Sequence, residues 1–392
     1  MTVLMKSGKI WSYRRGNLLS FKDWSHRVGA LIEDPTISTH EIFKHTLRVN
    51  PIASASHSVP ISVDWDDEIY KNAGYDQVLQ FEGNEDKVYL FDATIQLSQR
   101  EFDPNNLPAD ICFQIEHENL RTKYRIVYSS VVDGDKTDYR YHVEKIEGPS
   151  ISFRRRSIPF GDILDYFNSE KRSPVFFFAD GSMLYANNLA QLRDEVITPY
   201  CEEDLIEYDW RGVDIDEESM DYPHKQNTIQ YFIWQQIRDN YDLVFDDDGS
   251  GEIADLIGIR QDVDTIFVNL YHLKFALEKR TSRRIDNFYE VCGQAEKSLK
   301  WRNGDMNVFR HLISRATSTT KGLNRILKGD MELLRQFDQE AYYTKKVKFH
   351  LHIVQPGLSK ADAPTDILHL LGVVQNYAHE VCNADLTVHC NM

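Results

Sequence analysis

Two apolar runs separated by a short polar turn, residues 253–259 and 266–275, constrain this 392-residue chain more than any other feature. Each is too short for an independent helix and rich in Ile, Val, Leu and Phe, so both read as strands of one hairpin. Both also carry polar residues. Glu252 and Asp255 stand at the head of the first run, and His272 and Lys274 lie in the second. Strand side chains alternate between faces, so His272 and Lys274 share a face while Leu273 points the other way. A charge set in an apolar strand is costly unless a metal or an opposite charge meets it, which makes Asp255 the residue most in need of a partner. A carboxylate on one strand and polar-x-Lys on the next are the parts of a phosphodiester-cleaving site. The carboxylate holds Mg²⁺, and the lysine orients or deprotonates the attacking water.

The surrounding pattern predicts the order of elements. Residues 225–240 read as a helix, 242–247 as a strand, 285–301 as a second helix, 305–317 and 321–341 as two inserted helices, and 347–354 as a late strand. Gln355–Pro356–Gly357 then reads as a turn. This order, with Asp255 at the lone acidic position and Lys274 at the lysine, resembles the PD-(D/E)xK nuclease superfamily. More narrowly, GSGEIADLI, YHLKFA, YEVCGQAEKS and IVQPGLSK are similar to a nuclease-like module found C-terminal to superfamily II helicases in bacterial anti-phage defence systems. The resemblance implies a restriction-endonuclease-like αβ core and metal-dependent cleavage of DNA. It places Asp255, His272, Lys274 and Gln294 in catalytic roles, and Asp255 with Glu252 on Mg²⁺ or Mn²⁺. His272 stands where the family has its second acidic residue, and imidazole is a softer ligand than magnesium prefers. The family's first-helix glutamate is also missing between residues 224 and 240, so either Glu218 is its nearest substitute or the position is lost and Glu218 only solvates the linker.

Plainer readings stand beside these. Asp246–Asp247–Asp248–Gly249 is most simply a solvated hairpin turn, with Asp248 the member that could turn toward a metal. In the helix after HLK, Phe288, Val291, Cys292 and Ala295 make an apolar stripe. Gln294 and Lys297 share another face three residues apart, suited to a substrate phosphate.

Charge distribution refines the partner expectation. The net charge is −16, yet residues 271–350 hold 17 Lys/Arg against 9 Asp/Glu. Arg280, Arg283, Arg284, Lys297 and Lys300 are therefore the expected phosphate contacts. DNA is the expected partner, RNA stays open, and so does a homo-oligomer. No Walker A motif is present, so an ATP-driven helicase would act from elsewhere. Five scattered cysteines without a CxxC pair, no apolar run long enough to span a bilayer and no secretory signal lead to the expectation of a cytoplasmic protein.

Length allows two or three domains. Residues 1–200 read as a β-rich domain with an early helix, for substrate selection or docking of a partner. Residues 201–223 read as an acidic linker or an ordered approach to the next helix, and 224–392 as the nuclease-like domain. The fold class is α+β or α/β. The competing functional expectation is a degenerate nuclease-fold scaffold that binds nucleic acid or a protein.

Overall fold

The structure, a computed structural model, describes residues 4–6, 9–11, 18–36, 47–51, 58–66, 69–70, 77–98, 111–133, 136–155, 161–169, 173–185, 187–192, 198–221, 224–276, 285–303, 307–317 and 324–392. It is a mixed α/β protein with several sheets. Among the described residues the N-terminal half holds four antiparallel sheets, of two, four, four and five strands, together with helices Leu18–Glu33 and Ile163–Phe167. The longest pair, Leu120–Asp133 with Lys136–Glu147, is a hairpin of alternating residues. Among the described residues no helix is long and apolar enough to cross a membrane.

The C-terminal half is built on one seven-stranded sheet. Its strands in chain order are β1 (Ile206–Tyr208), β2 (Leu243–Asp246), β3 (Leu256–Gln261), β4 (Thr265–Leu273), β5 (Ile326–Lys328), β6 (Lys346–Ser359) and β7 (Asp385–Asn391). Across the sheet they run β1-β7-β6-β4-β3-β2-β5. The β1, β7, β6 and β4 neighbours are parallel; β4, β3, β2 and β5 are antiparallel. Strand β1 lies within the acidic 201–223 stretch, so that stretch forms the sheet's edge.

The central strands are apolar on both faces because both are covered. Helix α1 (Ile229–Ile237) packs Ile229, Ile233 and Ile237 against Val244, Leu256, Tyr271 and Leu273. On the other face α2 (Asp286–Ser298) brings Phe288, Val291, Cys292 and Ala295, and α5 (Thr365–Asn376) brings Ile367, Leu370 and Leu371, onto Leu270, Leu351 and Ile353. Thr228 caps α1 by accepting from Tyr231 N–H, as β-region Ser/Thr residues do at helix starts. Two further helices, α3 (Asn307–Thr317) and α4 (Met331–Tyr343), lie between β4 and β6 in the chain.

Three boundaries differ from the sequence reading. The helix expected over 321–341 begins only at Met331, because Gly329 takes φ +81° and Asp330 caps the helix by accepting from Leu333 N–H. Ahead of it, residues 326–328 pair with β2 as a strand. The turn expected at 355–357 lies inside β6, where the pairing with β7 shifts register between Val354 and Ser359. A proline fits there because it removes only a ladder hydrogen bond at an irregularity. Asp255 and Lys274 both lie just outside their strands, Asp255 before β3 and Lys274 after β4.

The apolar core runs without a break from the N-terminal sheets into the α2 side of the large sheet. The approach is closest at Gly293 on α2, where a Cβ would stand 2.5 Å from the Ile61 carbonyl oxygen. Strand Pro60–Asp64 therefore lies directly on the helix that borders the site.

On the α1 side of the sheet, His352 Nδ1 lies 2.9 Å from His389 Nε2 and its Nε2 lies 3.2 Å from Asn269 Oδ1. The His352 ring stacks on Tyr271 with centroids 4.0 Å apart. Burial holds His352 well below the ordinary imidazole range and His389 down to about 4. The unfolded chain therefore binds protons that the folded chain refuses. The stability of the neutral pair is complete above about pH 6.5 and is lost as pH falls toward about 4. The advantage of wild type over His389→Gln, read as urea midpoints from pH 7.5 to 4.5, is expected to shrink with acid. A constant difference would show that His389 takes up its proton at the same pH in the folded and the unfolded chain.

Candidate metal centre and cavity

The loop between β2 and β3 carries the acidic residues. Asp248, Glu252 and Asp255 each place one carboxylate oxygen so that the three lie within 4.8 Å of one another. Asp255 is buried; its Oδ2 accepts from Leu273 N–H at 2.8 Å, and its carbonyl accepts from Gln230 Nε2 at 3.1 Å and from Asp247 N–H at 3.3 Å. Glu252 Oε2 accepts from Gly249 N–H at 2.7 Å. Burial and the neighbouring Asp248 charge push Glu252 up to about 8. Burial, then Glu252 and Glu218, push Asp255 well above the carboxylate range. Without a cation Glu252 holds its proton at neutral pH, as a crowded buried carboxyl does. An all-oxygen donor set of this kind fits a hard divalent cation such as Mg²⁺ or Mn²⁺.

Asp247 has another task. It is fully buried, so the expected solvated turn holds for part of the loop only. Arg315 on α3 places Nε 2.5 Å from Asp247 Oδ1, and its two terminal nitrogens donate to the carbonyls of Ser250, Asp247 and Asp248. Asp247 Oδ2 accepts from Ile253 N–H at 2.7 Å and lies 3.5 Å from His311 Nε2. Arg325 donates to the carbonyls of Asp246 and Asp248. Two guanidinium groups thus fix the backbone from which Asp248 and Glu252 project. The rigid planar fork of arginine suits convergent carbonyls. At the loop tip Gly251 has φ +78°, and a Cβ there would stand 2.3 Å from the Phe91 carbonyl oxygen. Ser250 Oγ donates to the Asp92 carbonyl at 3.1 Å, so the N-terminal half holds the loop as well.

His272 and Lys274 line the same cavity, as strand alternation requires. Lys274 Nζ lies 3.1 Å from Glu290 Oε1 and 3.5 Å from Glu218 Oε2, and those carboxylates together with Asp255 raise its affinity for its proton despite burial. It therefore stays an ammonium, and of its two expected roles only orientation and charge compensation are open to it. Glu218 also accepts from Phe275 N–H at 3.0 Å, and burial pushes its carboxyl up. His272 is buried with Nε2 2.9 Å from Ser298 Oγ, and burial pushes it down to about 3. It is a neutral ring bordering the cavity and stands apart from the three converging carboxylates.

Gln294 lines the cavity with its side-chain carbonyl oxygen buried and without a hydrogen-bond partner. Lys297 also lines the cavity, but its Nζ donates to the Ile95 carbonyl at 2.7 Å, and burial lowers its pKa. Lys300 departs furthest from expectation. It is buried, paired with Asp64 at 3.2 Å and donating to the Trp65 carbonyl at 2.7 Å, which leaves it no phosphate to meet. Both lysines tie α2 and its extension to the N-terminal strands. Arg280, Arg283 and Arg284 lie outside the described residues.

Sequence reasoning passed over Gln230, Arg315 and Arg325, and read Asp247 only as part of a solvated turn. Gln230 carried a signal, being a polar residue on the apolar stripe of α1. It bonds Asp246 Oδ1 at 3.0 Å and the Asp255 carbonyl, and accepts from Met220 N–H. The arginines carried none, since their partners lie more than sixty residues away.

Compared with known proteins, the chain matches no family model, no curated protein and no solved structure.

Proposed function

We propose that this protein is a metal-dependent nuclease hydrolysing DNA phosphodiester bonds. The carboxylate group of Asp248, Glu252 and Asp255, of which Glu252 lines one cavity together with the Lys274 ammonium, carries the reading. Those three residues would hold Mg²⁺ or Mn²⁺, which as a Lewis acid would polarise a phosphoryl oxygen and a water. Glu218, 3.5 Å from Lys274 with its carboxyl pushed up by burial, is suited to take the proton from that water. Lys274 offsets the charge that builds on the phosphoryl oxygens as the water oxygen bonds to phosphorus. The P–O ester bond then breaks, and its oxygen leaves with a proton from solvent. His272, uncharged and fixed on Ser298, shapes the wall.

In this reading the core is restriction-endonuclease-like: α1, β2, β3, β4 and α2 occur in the order the resemblance implies. Work beside a superfamily II helicase in anti-phage defence belongs to the proposal through that resemblance. One observation favours the competing scaffold reading: Lys274 already has two carboxylate partners. The deciding assay incubates linear and circular DNA with Mg²⁺ or Mn²⁺ and with EDTA. Metal-dependent cutting, with circles opened if the action is endonucleolytic, is the expected result. DNA bound but uncut under every metal condition would favour the scaffold.

A further inference from the structure

Glu252, one of the three carboxylates, and Lys274 border a space that has two walls of different origin. One wall is the large-sheet side, with Glu252, His272, Lys274, Gln294 and Lys297. The other belongs to the N-terminal half, with strand Pro60–Asp64, strand Thr94–Leu97, Glu116 and Glu118. The space measures about 690 Å³, a size that encloses a small organic molecule. A continuous B-DNA duplex, whose major groove alone is ~12 Å wide, is not enclosed by a space of that size.

Resting on the nuclease reading, we infer that this cavity takes one unpaired nucleotide of a DNA single strand, and that a continuous duplex is excluded. Three features of the walls fit that occupant. Phe91, Phe275 and Tyr289 are part-exposed rings on the cavity surface, and an unpaired base has a free face to stack on them. Gln294 lines the cavity, and a turn of its side chain brings its buried, partnerless carbonyl oxygen to the amino groups of an unpaired base, which are donors. The far wall carries Glu116, held by Gln96 and Gln114 at 2.6 and 2.7 Å, and beside it Glu118. A single phosphate chain running past the cation end avoids that negative wall. The second chain of a duplex would face it.

The test uses the full chain with Mn²⁺ and three labelled DNAs carrying one sequence: a 12-nucleotide single strand, a duplex with a single-stranded tail, and a relaxed, covalently closed circular duplex, which is the closed duplex without unpaired nucleotides. Affinity and cleavage are both read. The single strand and the tailed duplex are expected to bind at least about tenfold more tightly than the closed duplex. Gln294→Ala and, separately, Tyr289→Ala are expected to weaken the single strand severalfold while leaving the melting temperature within a few degrees. Equal binding of the closed duplex, or binding of none of the three, overturns the inference. Single-strand binding without cleavage leaves it standing and defeats the nuclease reading. Cleavage of the closed duplex at the single-strand rate does the opposite.

Discussion

Arg315→Leu is expected to cost about 3–5 kcal/mol of folding stability, the usual penalty for stranding one charge of a buried pair. Asp247 is fully buried, and the Arg315 side chain is only 9 % exposed. The substitution would leave the carboxylate with the Ile253 N–H and the more distant His311. It would also release the carbonyls of Asp247, Asp248 and Ser250, which the guanidinium gathers. Urea unfolding of wild type, Arg315→Leu and the double variant Arg315→Leu/Asp247→Leu measures it. The double variant is expected to lose less than the two single losses combined, because it no longer buries an unpaired charge. A single-variant loss under about 1 kcal/mol would mean that water reaches Asp247 and that the loop is solvated after all.

Asp255→Asn is expected to lower metal-dependent cleavage at least about 100-fold, the scale on which removing one transition-state contact acts. Folding should be retained, because the amide can still accept from Leu273 N–H. Cation binding supplies a readout that does not depend on cleavage. In the metal-free protein Glu252 keeps its proton up to about pH 8, so a bound cation must displace it and affinity rises with pH. The stability sign runs the same way. A carboxyl raised from its ordinary value to about 8 favours the fold at low pH and loses that contribution as pH rises to about 8. Bound cation restores it. The melting-temperature gain from Mn²⁺ is therefore expected to be larger at pH 8.5 than at pH 6.5 in wild type, and small at both in Asp255→Asn. An equal gain in the variant would place the cation elsewhere.

These two results concern neighbours in one loop that the sequence could not tell apart. Asp246, Asp247 and Asp248 are three identical letters. In space, Asp247 is sealed beneath Arg315, Asp248 turns toward Glu252 and Asp255, and Asp246 meets Gln230, with burial raising its pKa to about 6. Composition along a loop carries no information about side-chain direction, since no periodicity operates there.

At Lys300 the basic count of residues 271–350 misled for a related reason. It sums charge without regard to burial, and Lys300 spends its charge on Asp64, 236 positions away in the chain. A lysine on a helix looks solvated until another sheet is packed on that helix. Gly293 on α2, where strand Pro60–Asp64 comes closest, was the one local sign that something would be.

What the sequence determined by itself is the sheet around the site. The strands β3 and β4, the helices α1 and α2 that cover their two faces, and the shared direction of His272 and Lys274 all follow from apolar periods of two and near 3.6, because alternation and helical pitch are local properties of the backbone. What only the tertiary structure decided is which charges converge. Carboxylates of Asp248, Glu252 and Asp255 meet because arginines from α3 and the segment before β5 bend their loop. The cavity beside them exists because N-terminal strands come to lie against α2. Those contacts join residues from 65 to more than 200 positions apart, and pairings at that range are set by packing the whole chain.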